Sequence, residues 1–202
     1  MRVHLNFNSH ADIIFWSICI VAFFGLLRKS NLLPPSPRCF NSHKHFVRDD
    51  LTLTSDGFLL QMRWSKTIQF RQRTVSLPLP FLPGHPLCPA TAVTRLLALH
   101  PHLPKSAPLF SYVTVNGLIV CSQAPFLQRM NRLLALLNLD PKLFSGHSFR
   151  RGGATWAFKA GLPGELVQML GDWASDSYKR YIDVLPTSKF SLFQQFTTNL
   201  PS

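Results

Sequence analysis

The sequence predicts an α+β domain, mainly α-helical with a small three-stranded antiparallel sheet. Three observations predict it. Apolar residues recur at helical spacing through residues 89–99 and 125–138. Three short stretches, 47–53, 58–64 and 74–79, alternate or run apolar around the turn signal Ser55-Asp56-Gly57 and around a basic turn, which is the pattern of an antiparallel meander. The chain of 202 residues, 46% hydrophobic with 17 Phe, is long enough to bury a core of its own.

In chain order, residues 11–27, ADIIFWSICIVAFFGLL, form the most apolar run. It falls short of the roughly 20 apolar residues that span a bilayer, carries Asp12 and Ser17, and lacks a small-residue cleavage signature. A buried core helix fits these features better than a membrane segment, and both remain open. Pro34, Pro35 and Pro37 then break the helix and begin a loop through His45. After the meander and a Pro-rich connection, Pro89 opens a helix with Val93, Leu96 and Leu97 on its apolar face. Residues 108–110 are a candidate short strand. In the helix 125–138, Phe126, Met130, Leu133, Leu134 and Leu137 face inward, with Gln128, Arg129, Asn131 and Arg132 outward. Ser145 is the expected N-cap of a helix over 146–160, stopped by Gly161 and Pro163. A short helix over 163–170 ends at Gly171, Asp172-Trp173 makes a corner, and Ser175 or Asp176 caps a third helix carrying Tyr178 and Tyr181 one turn apart.

Charge narrows the function. Twenty-one Lys and Arg against nine Asp and Glu give a formal net charge of +12, which favours nucleic acid or an anionic membrane surface as partner. The four cysteines, Cys19, Cys39, Cys88 and Cys121, have neither C-x-x-C spacing nor His companions at zinc-finger distances, so no disulfide scaffold, metal site or cofactor is expected. His43, His45, His85, His100 and His102 sit in Pro-rich or polar loops and receive no role.

Chemistry concentrates in residues 144–184, FSGHSFRRGGATWAFKAGLPGELVQMLGDWASDSYKRYIDV. His147 and Arg150, three apart, are spaced to address one small anion, for which a phosphate is the obvious candidate. The ordered set of His-x-x-Arg, a Gly-Asp-Trp corner and a Tyr resembles the tyrosine recombinase and phage integrase family, and the phrasing HSFRRGGAT, LGDW and SDSYKRYI is most similar to Crypton and DIRS-like mobile-element recombinases. A lone H-x-x-R would carry no such weight. GLLRKSNLL resembles the segment that supplies the family's first catalytic arginine at the end of a buried helix, with Arg28 at the matching position. VRDDL, a Gly turn and RWSKT resemble the family's sheet, with Lys66 at the position of its catalytic lysine. Alone, Arg28 reads as a helix C-terminal charge worth about 0.3 to 1 kcal/mol, and Lys66 as a solvated turn lysine.

The resemblance implies a DNA strand-breaking and rejoining reaction through a 3′-phosphotyrosyl bond, with catalytic residues Arg28, Lys66, His147, Arg150, Trp173 and Tyr181. Arg63, Arg71, Arg73 and Arg151 add a basic face for double-stranded DNA. Neutralising about five phosphates would give a salt slope of roughly −4 to −5. The sequence departs from the family in three ways: Asn31 stands where many members have an acidic residue, Trp173 replaces the commoner His, and only a short apolar helix precedes Arg28 where a DNA-clamping domain is usual. Domain limits of 1–186 for the catalytic domain and 187–202 for a helical tail follow. The tail's Phe190, Phe193, Phe196 and Leu200 form one apolar stripe, suited to packing on its own domain or to self-association as a dimer or tetramer on DNA. The nucleus, if the source is eukaryotic, or otherwise the cytoplasm, is the expected location. Three functions fit: a recombinase, a catalytically weak DNA-binding remnant of one, and a membrane-associated basic protein.

Overall fold

A computed structural model describes residues 1–64, 74–173 and 175–181, the side chains of Arg180 and Tyr181 excepted. Helix α1, His10–Phe24, is apolar on all sides, and that composition dictates burial on all sides. Ile14, Phe15, Ile18, Cys19, Val21 and Ala22 lie in the main core. The two polar residues of the run are both satisfied: the Ser17 hydroxyl lies 2.8 Å from the Ile13 carbonyl and 3.0 Å from that of Ala92, and the Asp12 carboxylate accepts from the Asn6 amide at 2.9 Å and pairs with Arg129 at 2.6 Å. Arg129 is therefore tied to α1 and does not stand outward as the helical pattern suggests. Among the described residues no helix is long and apolar enough to cross a membrane.

The sheet has the expected three antiparallel strands in the order β1-β2-β3: β1 Leu51–Thr54, β2 Gly57–Met62 and β3 Val75–Pro80. Strand β2 is central and sends Phe58, Leu60 and Met62 inward, joined by Leu77 and Leu79 of β3. Pro78 and Pro80 are tolerated because β3 is an edge strand, where a missing N–H need not break a ladder. Strand β1 begins four residues later than the pattern suggests. Arg48–Asp50 is a 3₁₀ turn, since the Asp50 carboxylate accepts from the Val47 amide at 2.9 Å and curls the chain.

Helix α2 is the short Lys29–Leu32, and α3 is Pro89–Ala98, whose apolar face packs on α1 through Val93 and Leu96. A hairpin, β4 Ser111–Thr114 with β5 Gly117–Val120, replaces the candidate strand at 108–110, of which only a Val47–Pro108 bridge remains. Helix α4, Gln123–Leu136, buries Phe126, Met130, Leu133 and Leu134, and leaves Leu137 half-buried as its C-cap. Helices α5, Ser148–Lys159, and α6, Gly164–Leu170, precede a 3₁₀ turn, Asp176–Tyr181. They surround a second, smaller core of Leu26, Ala154, Val167, Trp173 and Tyr178.

Candidate functional site

Among the described residues four helices end in the same motif, in which a residue in the left-handed region lets the next amide reach back five residues to a carbonyl. The bonds are Leu27 to Ala22 at 2.9 Å, Leu139 to Leu134 at 3.0 Å, Leu162 to Ala157 at 3.1 Å and Trp173 to Gln168 at 3.1 Å. Two of the left-handed residues are types that suit the conformation, Asn138 at φ 57° and Gly161 at φ 87°. The other two are at the candidate site: Asp172 at φ 51° is a type that tolerates the conformation, whereas Leu26 at φ 50° is not.

Arg150 joins these two turns. One terminal guanidinium nitrogen donates to the Leu26 carbonyl and the other to the Gly171 carbonyl at 2.7 Å, while the guanidinium carbon lies 3.7 Å from the Trp173 ring centroid. Arg150 is 2% exposed. The Trp173 ring lies against the backbone of Gly171, so close that a Cβ at 171 would sit 1.7 Å from a ring carbon. Only glycine permits the corner to close in this way. Tyr178 packs against the other side of the cluster, 6.2 Å from Trp173 between ring centroids.

Close approach of α5 to the end of α1 makes the Arg150 bond to Leu26 possible. A Cβ at Gly153 would lie 2.2 Å from the Phe23 carbonyl oxygen and 2.6 Å from Leu26 Cδ2, so α5 meets the end of α1 backbone to backbone and the following turn at the Leu26 side chain. The pair Gly152-Gly153 inside a helix was the available signal for this contact, since glycine costs about 1 kcal/mol there without a packing reason.

Helix α1 stops at Phe24, so Arg28 does not close it. Arg28 is instead the N-cap of α2, half-buried and extended at φ −80°, ψ 150°. Its amide donates to Asn31 Oδ1 at 3.2 Å, and Asn31 Nδ2 donates to the Trp64 carbonyl at 3.4 Å. Asn31, 4% exposed, thus ties the Arg28 turn to the end of β2, the strand that leads into the basic turn. An amide can donate to that carbonyl where a carboxylate could not.

Helix α5 begins two residues later than expected, with His147 as N-cap. Ser145 Oγ accepts from the His147 amide at 3.2 Å while Ser148 Oγ accepts from the Ser145 amide at 3.0 Å, a reciprocal clasp that sets the imidazole at the helix mouth. Partial burial, followed by the charges of Arg28, Arg150 and Lys29, lowers the His147 pKa below the ordinary 6.5. The imidazole is therefore mainly neutral at neutral pH, able to accept a proton as well as to donate a hydrogen bond.

The structure thus brings Arg28, His147, Arg150 and Trp173 to one place. Arg151 is exposed beside them. Tyr181 ends the 3₁₀ turn that packs on α5 and α6. Lys66, Arg71 and Arg73 lie outside the described residues, as does the tail 187–202. Arg63 is engaged differently from the expectation of a DNA-facing side chain: its terminal nitrogen pairs with Asp50 Oδ2 at 2.8 Å and donates to the Ser42 carbonyl at 3.0 Å. A cleft of about 310 Å³ between β3 and α6, lined by Thr74, Ser76, Gln168, Asp172 and Trp173 among others, opens beside the corner. Among the described residues no cluster of three His, Cys, Asp or Glu is placed to hold a metal ion.

No family model matches the sequence. The integrase/recombinase XerD homolog of Selenomonas ruminantium is 28% identical over 147 residues, covering 70% of this chain and 38% of the relative. The crystal structure of XerA recombinase superposes with a TM-score of 0.61 at 15% identity, over 95% of this chain and 58% of that one. The Tn1549 transposon integrase, in complex with a circular intermediate DNA, superposes with a TM-score of 0.52 at 13% identity, over 89% of this chain and 57% of that one. The chain therefore spans little more than a third of its curated relative and somewhat over half of these structures. The architecture is that of a tyrosine recombinase catalytic domain. Sequence match and motif order are those of a chain similar to an integrase/recombinase, and the fold is shared with solved recombinases.

Proposed function

We propose that this domain cleaves and rejoins DNA strands in site-specific recombination or integration of a mobile element, with Tyr181 as nucleophile. The observation that carries the proposal is the convergence of Arg28, His147, Arg150 and Trp173 on the turns next to the segment that ends in Tyr181. The Tyr181 phenolic oxygen forms a bond to phosphorus as the bond to the 5′-oxygen breaks, and Lys66 gives that leaving oxygen its proton. A second 5′-hydroxyl later attacks the phosphotyrosine, restoring the phenol and a phosphodiester. The covalent intermediate keeps the bond energy, so the cycle consumes no nucleotide.

A phenol of pKa about 10 is almost wholly protonated at neutral pH. The neutral His147 imidazole suits removal of that proton, and Arg28 suits the charge that gathers on the non-bridging oxygens. Trp173 serves as the platform against which Arg150 is held. Double-stranded DNA is the partner, bound through Arg151, Arg71 and Arg73, with self-association on DNA as a dimer or tetramer, in the nucleus of a eukaryotic source or otherwise in the cytoplasm. The Tn1549 integrase, solved with DNA, and the XerD homolog, described as an integrase/recombinase, support this assignment.

One observation favours a second function, a DNA-binding remnant that cuts slowly. Arg150 is 2% exposed with both terminal nitrogens on main-chain carbonyls, and it must turn outward before it can touch a phosphate. Incubation with a nicked duplex, whose short 5′-hydroxyl fragment diffuses away after cleavage, separates the two. A covalent protein–DNA adduct supports the recombinase, and binding without adduct across a library of nicked sites supports the remnant.

A further inference from the structure

We propose that Lys29 is a phosphate-contacting residue of this site, seated there by the missing side chain of Gly146, and that it forms with Arg28 and His147 a three-pronged cradle for the scissile phosphate. This rests on the recombinase assignment above and adds a cation that the motif does not contain.

The geometry begins at Gly146, which is buried immediately before His147. A Cβ at 146 would lie 2.8 Å from Lys29 Cβ, 2.9 Å from Cγ and 2.5 Å from Cδ. The whole aliphatic stem of Lys29 therefore runs across the backbone of Gly146, in space that any other residue would fill. The ammonium lies two bonds beyond Cδ, and its charge acts on the His147 ring together with those of Arg28 and Arg150. Arg28 and Lys29 are adjacent as the N-cap and first residue of α2, so the Asn31 bond that fixes the Arg28 backbone fixes the start of Lys29 as well.

Among the described residues no carboxylate is paired with this lysine. The first turn of α2 carries none. Two adjacent cations held beside an imidazole, with one of their stems laid in a groove, make a site that an anion completes. An ammonium suits it because three rotatable donors on a flexible stem follow a phosphate oxygen as it moves toward the transition state, whereas the guanidinium of Arg28 gives a fixed fork.

The test uses the full chain and reads three quantities: the His147 pKa by NMR of the ring, the affinity for inorganic phosphate followed on the same ring, and the single-turnover adduct rate on saturating nicked DNA. Lys29→Met keeps the stem and removes the charge. It is expected to raise the His147 pKa, weaken phosphate binding about tenfold and slow adduct formation by a similar factor, the loss of about one charge-assisted hydrogen bond. Lys29→Arg is expected to retain most of each. Gly146→Ala, which displaces the stem while leaving the lysine in place, should reproduce Lys29→Met. An unmoved His147 pKa, or unchanged phosphate affinity, in folded Lys29→Met overturns the proposal. If the unsubstituted chain gives no adduct at all, the recombinase activity fails, and the phosphate and imidazole measurements still decide whether Lys29 belongs to the site.

Discussion

Adjacent glycines in α5 should respond to the same substitution with opposite sign. At Gly153 a Cβ would lie 2.2 Å from the Phe23 carbonyl oxygen and 2.6 Å from Leu26 Cδ2, about 1 Å inside an ordinary contact, and the nearer obstacle is backbone. Gly153→Ala must therefore push α5 off the end of α1. Overpacking of this kind costs about 1 to 3 kcal/mol, against a helix-propensity gain of at most about 1 kcal/mol. At Gly152 the nearest atom is Phe23 Cε2 at 3.6 Å, an ordinary contact that leaves the propensity gain intact. For a chain of this size about 1 kcal/mol shifts Tm by about 2 to 4 °C, so Gly153→Ala should lower Tm by several degrees and Gly152→Ala should raise it by up to about 4 °C. Because the same approach brings Arg150 to the Leu26 carbonyl, Gly153→Ala should also slow adduct formation, whereas Gly152→Ala should not. Thermal unfolding of the two variants beside the parent decides this. Equal shifts of the same sign would show that the α1–α5 contact does not position the site.

Other outcomes follow from the same geometry. Arg63→Gln removes the partner of buried Asp50 and should destabilise the domain by about 1 to 2 kcal/mol in urea unfolding, a half-exposed pair being worth less than a fully buried one, while leaving the salt slope of DNA binding unchanged. Arg151→Gln should do the reverse, with stability kept and the slope reduced by about 0.9. Acidification should destabilise the fold: His45, His100 and His147 all have pKa values lowered below 6.5, chiefly by burial, so as pH falls through 6.5 the unfolded chain takes up protons before the folded one does. Tm should hold above that pH and fall below it, and His100→Gln should flatten the profile, because His100 Nε2 accepts from the Val113 amide at 3.1 Å and only the neutral ring can accept.

Much of the fold was legible because local chemistry and tertiary structure agree. An apolar run with Asp12 and Ser17 became a buried helix whose polar groups have partners, and Ser55-Asp56-Gly57 became the two-residue turn from Thr54 to Gly57. The β4–β5 hairpin carries the same signal: Thr114-Val115-Asn116-Gly117 repeats Thr54-Ser55-Asp56-Gly57, and in both the Thr hydroxyl spans the turn to the Gly carbonyl at 3.1 Å. The end of α1 was not legible, since leucine opposes the left-handed conformation that Leu26 adopts. It is held by contacts from residues more than a hundred positions away, Arg150 at its carbonyl and Gly153 at its side chain. The Asp12 pair with Arg129 is equally long-range, which is why a periodic pattern placed Arg129 in solvent. Motif order identified the residues around Arg150, but it did not show that Arg150 is buried, because the motif records which residues meet and not which way they face.

As the proposed nucleophile, Tyr181 becomes covalently joined to a DNA 3′-phosphate, a bond that peptide mapping of the adduct trapped on nicked duplex locates. Tyr178 is 5% exposed and packed on Trp173, so it serves the core. The expected result is a nucleotide joined through its 3′-phosphate to Tyr181, a free 5′-hydroxyl on the released strand, loss of the adduct in Tyr181→Phe and its survival in folded Tyr178→Phe. A 5′-phosphotyrosyl linkage, or an adduct that persists in Tyr181→Phe, would contradict it.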